Sequence, residues 1–303
     1  MSIVYLNGEF LPKDEAKISP DDRGFLLADG LYEVTSFYEG TAFCLDRHLA
    51  RLEHGLRWAR IRQPLDSLAD MQRRLIVENG LESAETSLTY VQITRGVAPR
   101  THYFPTEPVE PTVYAYAKAW DRPSPERWSQ GYTVATVPDR RWSRVDIKAI
   151  GLLPNVIAFQ DAIDVGADDA LLIRDGVAIE GAHMNFWGVF GGVLVTHPTT
   201  GHILPGITRG VILELAAENG IPVEQRPIQV EELDEAEELF FTGTIGEVRP
   251  CVRVNGTPVG DGSVGVTTRR LSDLFRAAIQ AATEAAEVST REAAQEADEV
   301  PVP

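Results

Sequence analysis

The chain has 303 residues, of which 44% are hydrophobic and 24% are charged, a composition typical of a globular protein with a packed core. It carries 45 acidic and 28 basic residues, and the net charge of −17 argues against binding to nucleic acid or to an anionic membrane surface. No apolar run approaches the roughly 18 residues that a membrane-spanning helix needs. The first residues lack a secretory pattern, and two cysteines are too few for a disulfide framework, so we expect a cytoplasmic protein.

The first 120 residues show the patterns of a hairpin, two helices and two further strands. Asn7-Gly8 follows the apolar run IVYL, which is typical of a tight β-turn. Apolar residues spaced by three and four predict two amphipathic helices, the first with Asp46 as its N-cap and the second ending at Gly80. A proline-rich loop separates the two strands. The predicted elements are helices over 46–61 and about 66–79 and strands over 86–95 and 112–119.

The segment 121–131 has the composition of a linker and marks the expected domain boundary. We therefore expect a small N-terminal domain over 1–120 and a larger domain over 132–282, followed by an acidic, disordered tail over 283–303. The elements predicted in the larger domain are strands at 132–137, 191–197 and 239–242, hairpins over 170–181 and 249–260, and helices over about 154–162, 207–220, 231–239 and from about 267.

The chain lacks the sequence motifs of several common kinds of functional site. There is no HExxH, paired CxxC or EF-hand spacing, so no metal site is expected. A glycine-rich dinucleotide fingerprint, a Walker A motif and a G-x-S-x-G elbow are also missing. His48 and His54 lie on a predicted amphipathic helix and are interpreted as surface or packing residues, and His197 and His202 as structural ones.

Lysine is rare, which narrows the candidates for a reactive amine. The chain has four lysines, and only Lys148 lies in an apolar stretch, VDIKAIGLL. A lysine on an edge strand that faces water is the plain alternative, but the flanking Ile147 and Ile150 disfavour it. A desolvated lysine has a lowered pKa and can act as a nucleophile toward an aldehyde.

Three other segments complete a possible site. Glu180 closes the predicted hairpin, LPGITRG at 204–210 opens a helix whose first N–H groups can bind an anion, and TGTIG at 242–246 is a small-residue turn after a strand. Each of these features is common, and each is weak on its own. Together, an amine, a carboxylate and an anion site are the groups that pyridoxal phosphate (PLP) catalysis requires.

The order of these segments resembles one known family, the fold-type IV, or branched-chain class, PLP-dependent aminotransferases, and within it the D-amino-acid aminotransferases. The resemblance covers about residues 4–275. It implies an α/β protein of two domains, a small N-terminal α/β sandwich and a larger C-terminal pseudo-barrel, with PLP in the cleft between them. The stretches that carry it are YLNGEFLP, DDRGFLLADGLYEV, HLARL, QITRGVAPRTHYFP, RWSRVDIKAIGLLPNV, IEGAHMN, LPGITRG and ELFFTGTIGEVRP.

The resemblance assigns roles around the cofactor. Lys148 is implied to be the catalytic amine that bonds to the PLP aldehyde and later moves the proton of the substrate. Glu180, in IEG, is implied to pair with the pyridine nitrogen, and Arg141 is expected near the phosphate. The residues implied to bind that phosphate through guanidinium, hydroxyl or backbone donors are Arg51, Ile207, Thr208, Thr244 and Ile245.

The resemblance also implies a substrate site and a partner. Arg100 and His102 of RTH, with Tyr32 of DGLYE, match the residues that trap the substrate α-carboxylate in D-specific members. Such donors give charge-assisted bonds of fixed geometry, although a solvated loop tip is the plain alternative for Arg100 and His102. The family implies a homodimer in which this loop reaches the active site of the partner. The expected reaction is ping-pong transfer of an amino group from a D-amino acid to a 2-oxo acid.

The chain departs from the D-specific pattern in two places. EGAHMN replaces the common EGSSSN, so His183 and Met184 stand where small hydroxylic residues are usual, and Gly243 and Ile245 stand where those members often have Ser and Thr. The preferred side chain of the substrate therefore stays open. The alternatives are a branched-chain L-amino-acid transaminase, an (R)-amine transaminase, an aminodeoxychorismate lyase, and a non-catalytic PLP carrier or regulator.

Overall fold

Two β-sheets, one from each half of the chain, carry the elements that position the site. The computed structural model describes the backbone of residues 2–298 and the side chains of residues 2–288. One sheet has six strands and the other has ten, and helices pack against both. The predicted α/β architecture, with an N-terminal sandwich and a C-terminal pseudo-barrel, is confirmed.

The N-terminal sheet is antiparallel throughout. Its strands are β1 (Ile3–Leu6), β2 (Glu9–Pro12), β3 (Gly30–Tyr38), β4 (Thr41–Ala42), β5 (Thr86–Thr94) and β6 (Thr112–Ala119). They lie in the order β2-β1-β6-β5-β3-β4. The strands β5 and β6 match the prediction, whereas the central strand β3 was not predicted.

Helices cover one face of this sheet. They are α1 (Arg23–Leu27), α2 (Leu45–Ala59) and α3 (Leu68–Glu78). Leu52 and Leu56 of α2 and Leu75 of α3 pack on the sheet residues Val91 and Ile93, because the spacing by three and four places them on one side of each helix. The prediction of Asp46 as N-cap was wrong: α2 begins one residue earlier, and Asp46 lies in its first turn, where a carboxylate favours the helix dipole.

The C-terminal sheet closes on itself. Its strands are β7 (Tyr132–Pro138), β8 (Asp169–Arg174), β9 (Val177–Gly181), β10 (Asn185–Phe190), β11 (Val193–Thr196), β12 (Val223–Gln225), β13 (Ile228–Gln229), β14 (Glu238–Gly243), β15 (Glu247–Val254) and β16 (Thr257–Pro258). Six of them form a barrel in the order β7-β8-β9-β10-β14-β15, since β15 returns to pair with β7 in parallel. The ring is completed where β9 meets β10 through one residue pair, Glu180 and Asn185.

Helices and a 3₁₀ turn surround the barrel. They are α4 (Pro125–Gln130), α5 (Leu153–Asp164), α6 (Ile207–Glu218), α7 (Val266–Asp298) and the 3₁₀ helix Val230–Glu235. The expected linker over 121–131 contains α4, because Ser124 caps its start by accepting a hydrogen bond from the Arg127 amide at 3.2 Å. The backbone is helical through Asp298, where the tail was expected to be disordered, and residues 299–303 of that tail lie outside the described residues.

Among the described residues, the structure has neither a membrane-spanning helix nor a cluster of metal ligands. No helix there combines the length and the apolar character needed to cross a bilayer. Within the same range, no three His, Cys, Asp or Glu side chains lie together as a metal ion would require. The two cysteines, Cys44 and Cys251, are both free thiols.

A buried ionic cluster joins β3 to α2. Glu33 of β3 is 3% exposed and accepts hydrogen bonds from Arg51 Nε at 2.9 Å and Arg51 Nη2 at 2.6 Å, while His48 Nδ1 lies 3.0 Å from its Oε1. Burial alone would raise the pKa of Glu33, but Arg51 and His48 hold the pKa of this carboxyl well below its usual range. His48, interpreted from sequence as a surface or packing residue, is therefore a buried member of this cluster.

We expect Glu33→Gln to destabilise the protein by about 3–5 kcal/mol at pH 7, because the buried Arg51 guanidinium would lose its carboxylate. The folded pKa of Glu33 lies below its ordinary value of 4.5, so its contribution to stability is complete above pH 4.5 and falls as the pH drops toward the folded pKa. The difference between wild type and variant should therefore shrink in acid. Urea unfolding at pH 7 and at pH values below 4.5 measures it.

The matched control is Glu53→Gln on α2, whose side chain is 53% exposed and pairs with Arg57 on the surface. Exposed pairs of this kind contribute about 0–1 kcal/mol, so this variant should unfold like wild type at every pH. Equal effects of the two substitutions would contradict the role given to Glu33.

Candidate active site

A cavity of about 570 Å³ lies where the two halves of the chain meet. Its polar lining includes an amine, a carboxylate, an imidazole and a phenol, and the rest of the wall is mainly apolar. This combination of concavity and a few convergent polar groups is typical of a small-molecule site. The lining residues include Tyr32, Arg141, Lys148, Glu180, His183, Met184, Asn185, Leu204 and Thr242.

Lys148 reaches the cavity from an irregular segment and not from a strand. The Tyr32 amide donates to the Lys148 carbonyl at 3.1 Å, and the Ile150 amide donates to the Gly30 carbonyl at 3.1 Å, so the segment lies along the free edge of β3. Lys148 is half-buried, and its Nζ lies 4.2 Å from the centre of the Tyr32 ring. The N-terminal sheet therefore fixes the position of the only lysine that the described residues place in the cavity wall.

Glu180 ends β9 inside the cavity and is 4% exposed. Its Oε2 accepts hydrogen bonds from Asn185 Nδ2 at 2.9 Å and from the Leu204 amide at 3.3 Å, and its Oε1 accepts one from Arg141. Burial raises the pKa of Glu180, while Arg141 and the Leu204 amide favour the ionised form. The result is a buried carboxylate with a fixed direction.

Arg141, which the resemblance places near the phosphate, contacts two carboxylates in the structure. Its side chain is 5% exposed and lies between Glu180 and Asp139, with Nε 2.9 Å from Asp139 Oδ1. Two carboxylates raise the pKa of Arg141 in spite of burial, so the group stays charged. The position of Arg141 in the sequence, close after β7, does not indicate whether its side chain contacts a phosphate or a carboxylate.

The start of α6 has the free backbone donors that an anion would need. Gly206 is the N-cap and provides no side-chain cap, so the first amides of the helix, at Ile207 and Thr208, are left without a side-chain acceptor. Arg51 lies beside them, because its Nη1 donates to the Pro205 carbonyl at 3.0 Å. The structure thus brings together three of the predicted phosphate-binding residues.

The segment 242–246 contacts both the cavity wall and β3. Among the described residues, the cavity wall includes Thr242 but neither Thr244 nor Ile245, and Ile245 is 44% exposed. The Thr244 carbonyl accepts a hydrogen bond from Ser36 Oγ at 3.0 Å, which ties the turn to β3. The Thr242 hydroxyl accepts one from Trp187 Nε1 at 2.8 Å.

The predicted substrate residues are not all together in this one chain. Tyr32 lines the cavity, whereas Arg100 and His102 are exposed on the loop between β5 and β6 and do not line it. The loop is held at its base by Arg23, whose Nη1 donates to the Pro99 carbonyl at 3.2 Å and to the Thr101 carbonyl at 3.0 Å.

Two supporting residues were missed by the sequence analysis. Arg23 pairs with Asp29 at 2.9 Å and so links the loop to the start of β3, and both residues lie in the stretch DDRGFLLADG that was already singled out. Asn185 follows Glu180 by five positions in IEGAHMN, and the pairing of two strands across this short bend would have placed the two side chains opposite each other.

His183 adds a further polar group to the cavity wall. The His183 imidazole is 52% exposed, its Nε2 lies 3.8 Å from Asp169 Oδ2, and its ring contacts Phe159 edge to face. Arg249 Nη1 lies 3.3 Å from the same buried Asp169 oxygen. Burial raises the pKa of Asp169.

The amine and the buried carboxylate line one cavity, which reaches Leu204, three residues before α6 begins. These groups and the start of α6 could together hold a phosphorylated aldehyde. Comparison with known proteins agrees with this chemistry. The family model described as amino-transferase class IV matches residues 30–254. A D-alanine aminotransferase from Staphylococcus haemolyticus is 38% identical over 282 residues, covering 92% of this chain and 99% of that protein.

Solved structures give the same result. A branched-chain amino acid aminotransferase from Escherichia coli matches with a TM-score of 0.85 and 27% identity, covering 91% of this chain and 94% of that one. One from the archaeon Thermoproteus uzoniensis, solved with norvaline, has a TM-score of 0.81 at 24% identity, covers 92% of this chain and 94% of that one, and shows the shared fold alone. The resemblance inferred from the motifs is confirmed, and the chain belongs to the class IV aminotransferase family.

Proposed function

We propose that this protein is a PLP-dependent D-amino-acid aminotransferase that moves the amino group of a substrate such as D-alanine or D-glutamate to a 2-oxo acid. The observation that carries the proposal is that the Lys148 amine and the buried Glu180 carboxylate face one cavity. The relatives named D-alanine aminotransferases, at 36–39% identity over nearly their whole length, support the substrate class.

The residues around the cavity fit PLP. When bound, PLP supplies an aldehyde that accepts the amine and a protonated ring that withdraws electrons from the substrate carbon. Lys148 would supply the amine. Its Nζ would take a proton from the substrate Cα and return it to the carbon of the PLP aldehyde group. Glu180, which accepts a hydrogen bond from Arg141, would face the ring nitrogen and favour its protonated form.

The phosphate would lie at the start of α6. The backbone amides of Ile207 and Thr208 carry the partial positive charge of the helix start, and Arg51 adds a full charge beside them. Glu33 holds Arg51 from the opposite side and so limits its direction. Thr244 and Ile245 are proposed to close this site from the neighbouring turn.

The substrate carboxylate is proposed to meet Tyr32 of one chain and Arg100 and His102 of a second copy. Arg100 and His102 are exposed, and beside them Tyr103 is 67% and Phe104 46% exposed, so the loop offers both charge and apolar surface to a partner. The working form would be a homodimer with shared sites. Two free thiols fit a reducing compartment, and we place the protein in the cytoplasm.

Lys148→Ala should lower the rate of D-alanine transamination by about a thousandfold or more, because the group that bonds to the cofactor and moves the proton is lost. Borohydride reduction of the wild-type holoenzyme, followed by peptide mass spectrometry, should place the cofactor on Lys148. Lys118→Ala, at an exposed lysine of β6, is the matched control and should keep both the label and the rate. A label on another residue, or full activity of Lys148→Ala, would contradict the mechanism.

Arg100→Ala should raise KM for D-alanine about tenfold to a hundredfold, since one charge-assisted bond to the carboxylate is removed. The absorbance of the bound cofactor should stay as in wild type. Arg73→Ala, at a side chain that is 59% exposed on α3, should leave KM unchanged. An unchanged KM in Arg100→Ala would remove its proposed role.

Co-expression of Lys148→Ala and Arg100→Ala subunits with different tags tests whether Arg100 acts across a dimer. Neither homodimer has an intact site, but the purified heterodimer would combine Lys148 of one subunit with Arg100 of the other. At low D-alanine concentration it should recover about half of wild-type kcat/KM, because one of two symmetric sites is whole. A heterodimer with about half of the kcat/KM of the Arg100→Ala homodimer would place Arg100 in the site of its own chain.

The alternatives differ in which amine removes the absorbance of the bound cofactor in a single half-reaction. D-alanine and D-glutamate should do so quickly, and their L-enantiomers, L-leucine and (R)-1-phenylethylamine should do so slowly or not at all. A fast reaction with L-leucine would favour the branched-chain activity that the Escherichia coli structure is named for, and no reaction with any amine would leave a PLP carrier.

A further inference from the structure

Met184 lies in the bend between β9 and β10, where its side chain contacts both the barrel core and the cavity. It is 4% exposed and packs in the barrel core with Phe186 and Phe241, which are 2% and 1% exposed. On another side it lines the cavity. Its backbone is held in place, because the Gly181 amide donates to the Met184 carbonyl at 2.7 Å.

The Met184 side chain also lies against two glycines of the turn at 242–246. A Cβ placed on Gly243 would lie 2.9 Å from Met184 Cγ, and a Cβ placed on Gly246 would lie 2.6 Å from Met184 Sδ. Carbon atoms in favourable contact are about 3.5–4.0 Å apart, so neither position has room for a side chain while Met184 stays where it is.

Backbone conformation does not explain these glycines. Neither Gly243 nor Gly246 has a φ in the left-handed region, whereas Gly256 and Gly260 of the following hairpin segment do, with φ of 82° and 55°. Any L-residue could adopt the backbone of Gly243 and Gly246. The space filled by Met184 is therefore what restricts both positions.

The direction in which Met184 could move follows from its packing. Phe186 and Phe241 fill the core side, and closely packed cores resist added volume. The cavity is the open side. A side chain added at 243 or 246 would therefore drive Met184 toward the cavity or lift the turn away from it.

We propose that Met184 is a positioning residue that supports the turn at 242–246 from beneath and sets its place against the cavity, and that Gly243 and Gly246 are glycines because they must admit this side chain. The inference rests on the proposed function, since the ligand that the turn faces there is the phosphate end of PLP.

A double-mutant cycle tests the proposal. The full-length chain, freed of cofactor, is titrated with PLP as wild type, Gly243→Ala, Met184→Ala and the double variant, and the dissociation constant is read from the absorbance of the bound cofactor. Gly243→Ala should weaken binding about tenfold, because overpacking displaces the turn. In the double variant most of that loss should vanish, because the shortened side chain at position 184 leaves room for the new methyl group.

Controls separate positioning from general damage. Gly210→Ala adds the same methyl group on α6, where nothing lies within 4 Å, and should bind PLP like wild type. Gly246→Ala should behave like Gly243→Ala and should likewise be rescued by Met184→Ala. Thermal unfolding of each variant shows that it is folded.

The possible outcomes separate this inference from the function on which it rests. Additive losses in the double variant, or Gly243→Ala binding as tightly as wild type, would overturn the role of Met184 while wild-type binding of PLP leaves the proposed function intact. A wild-type chain that binds no PLP would overturn both.

Discussion

One pair of residues closes the barrel and also fixes the carboxylate of the site. Within the described residues, Glu180 and Asn185 form the only register pair between β9 and β10, and the Asn185 amide donates to the Glu180 carboxylate at 2.9 Å. The same amide donates to the Leu204 carbonyl at 2.8 Å, just before α6. The contact that completes the sheet therefore also sets the distance between the buried carboxylate and the helix start proposed for phosphate.

Burying carboxylates in a chain of net charge −17 requires cations that stay charged without water. Arginine meets this requirement, because its pKa is very high and its planar group binds two acceptors at once. Glu33 is held by Arg51, Glu180 by Arg141, and Asp29 by Arg95 at 2.8 Å. The lysine of the cavity wall differs from these arginines, since its side chain ends in a primary amine that can bond with an aldehyde.

Local patterns predicted the elements whose apolar residues face one side. Helices α2 and α3 and strands β5 and β6 fall within about two residues of their predicted bounds, because packing agrees with periodicity there. The strands β3 and β10 were not predicted, since both are buried on two faces and show no alternation. The partners of Arg141 also could not be predicted, because they depend on which strands meet.

The placement of Lys148 shows why a site can be recognised from motifs and still need the fold. Its segment has no regular structure of its own, yet Leu31 of β3 forms an isolated bridge with Ala149, and backbone hydrogen bonds lie on either side of this bridge. The segment thus continues the N-terminal sheet at an edge that would otherwise be open. The amine is supplied by the segment that follows β7 but positioned by the N-terminal sheet, so the cavity can form only when both parts are folded together.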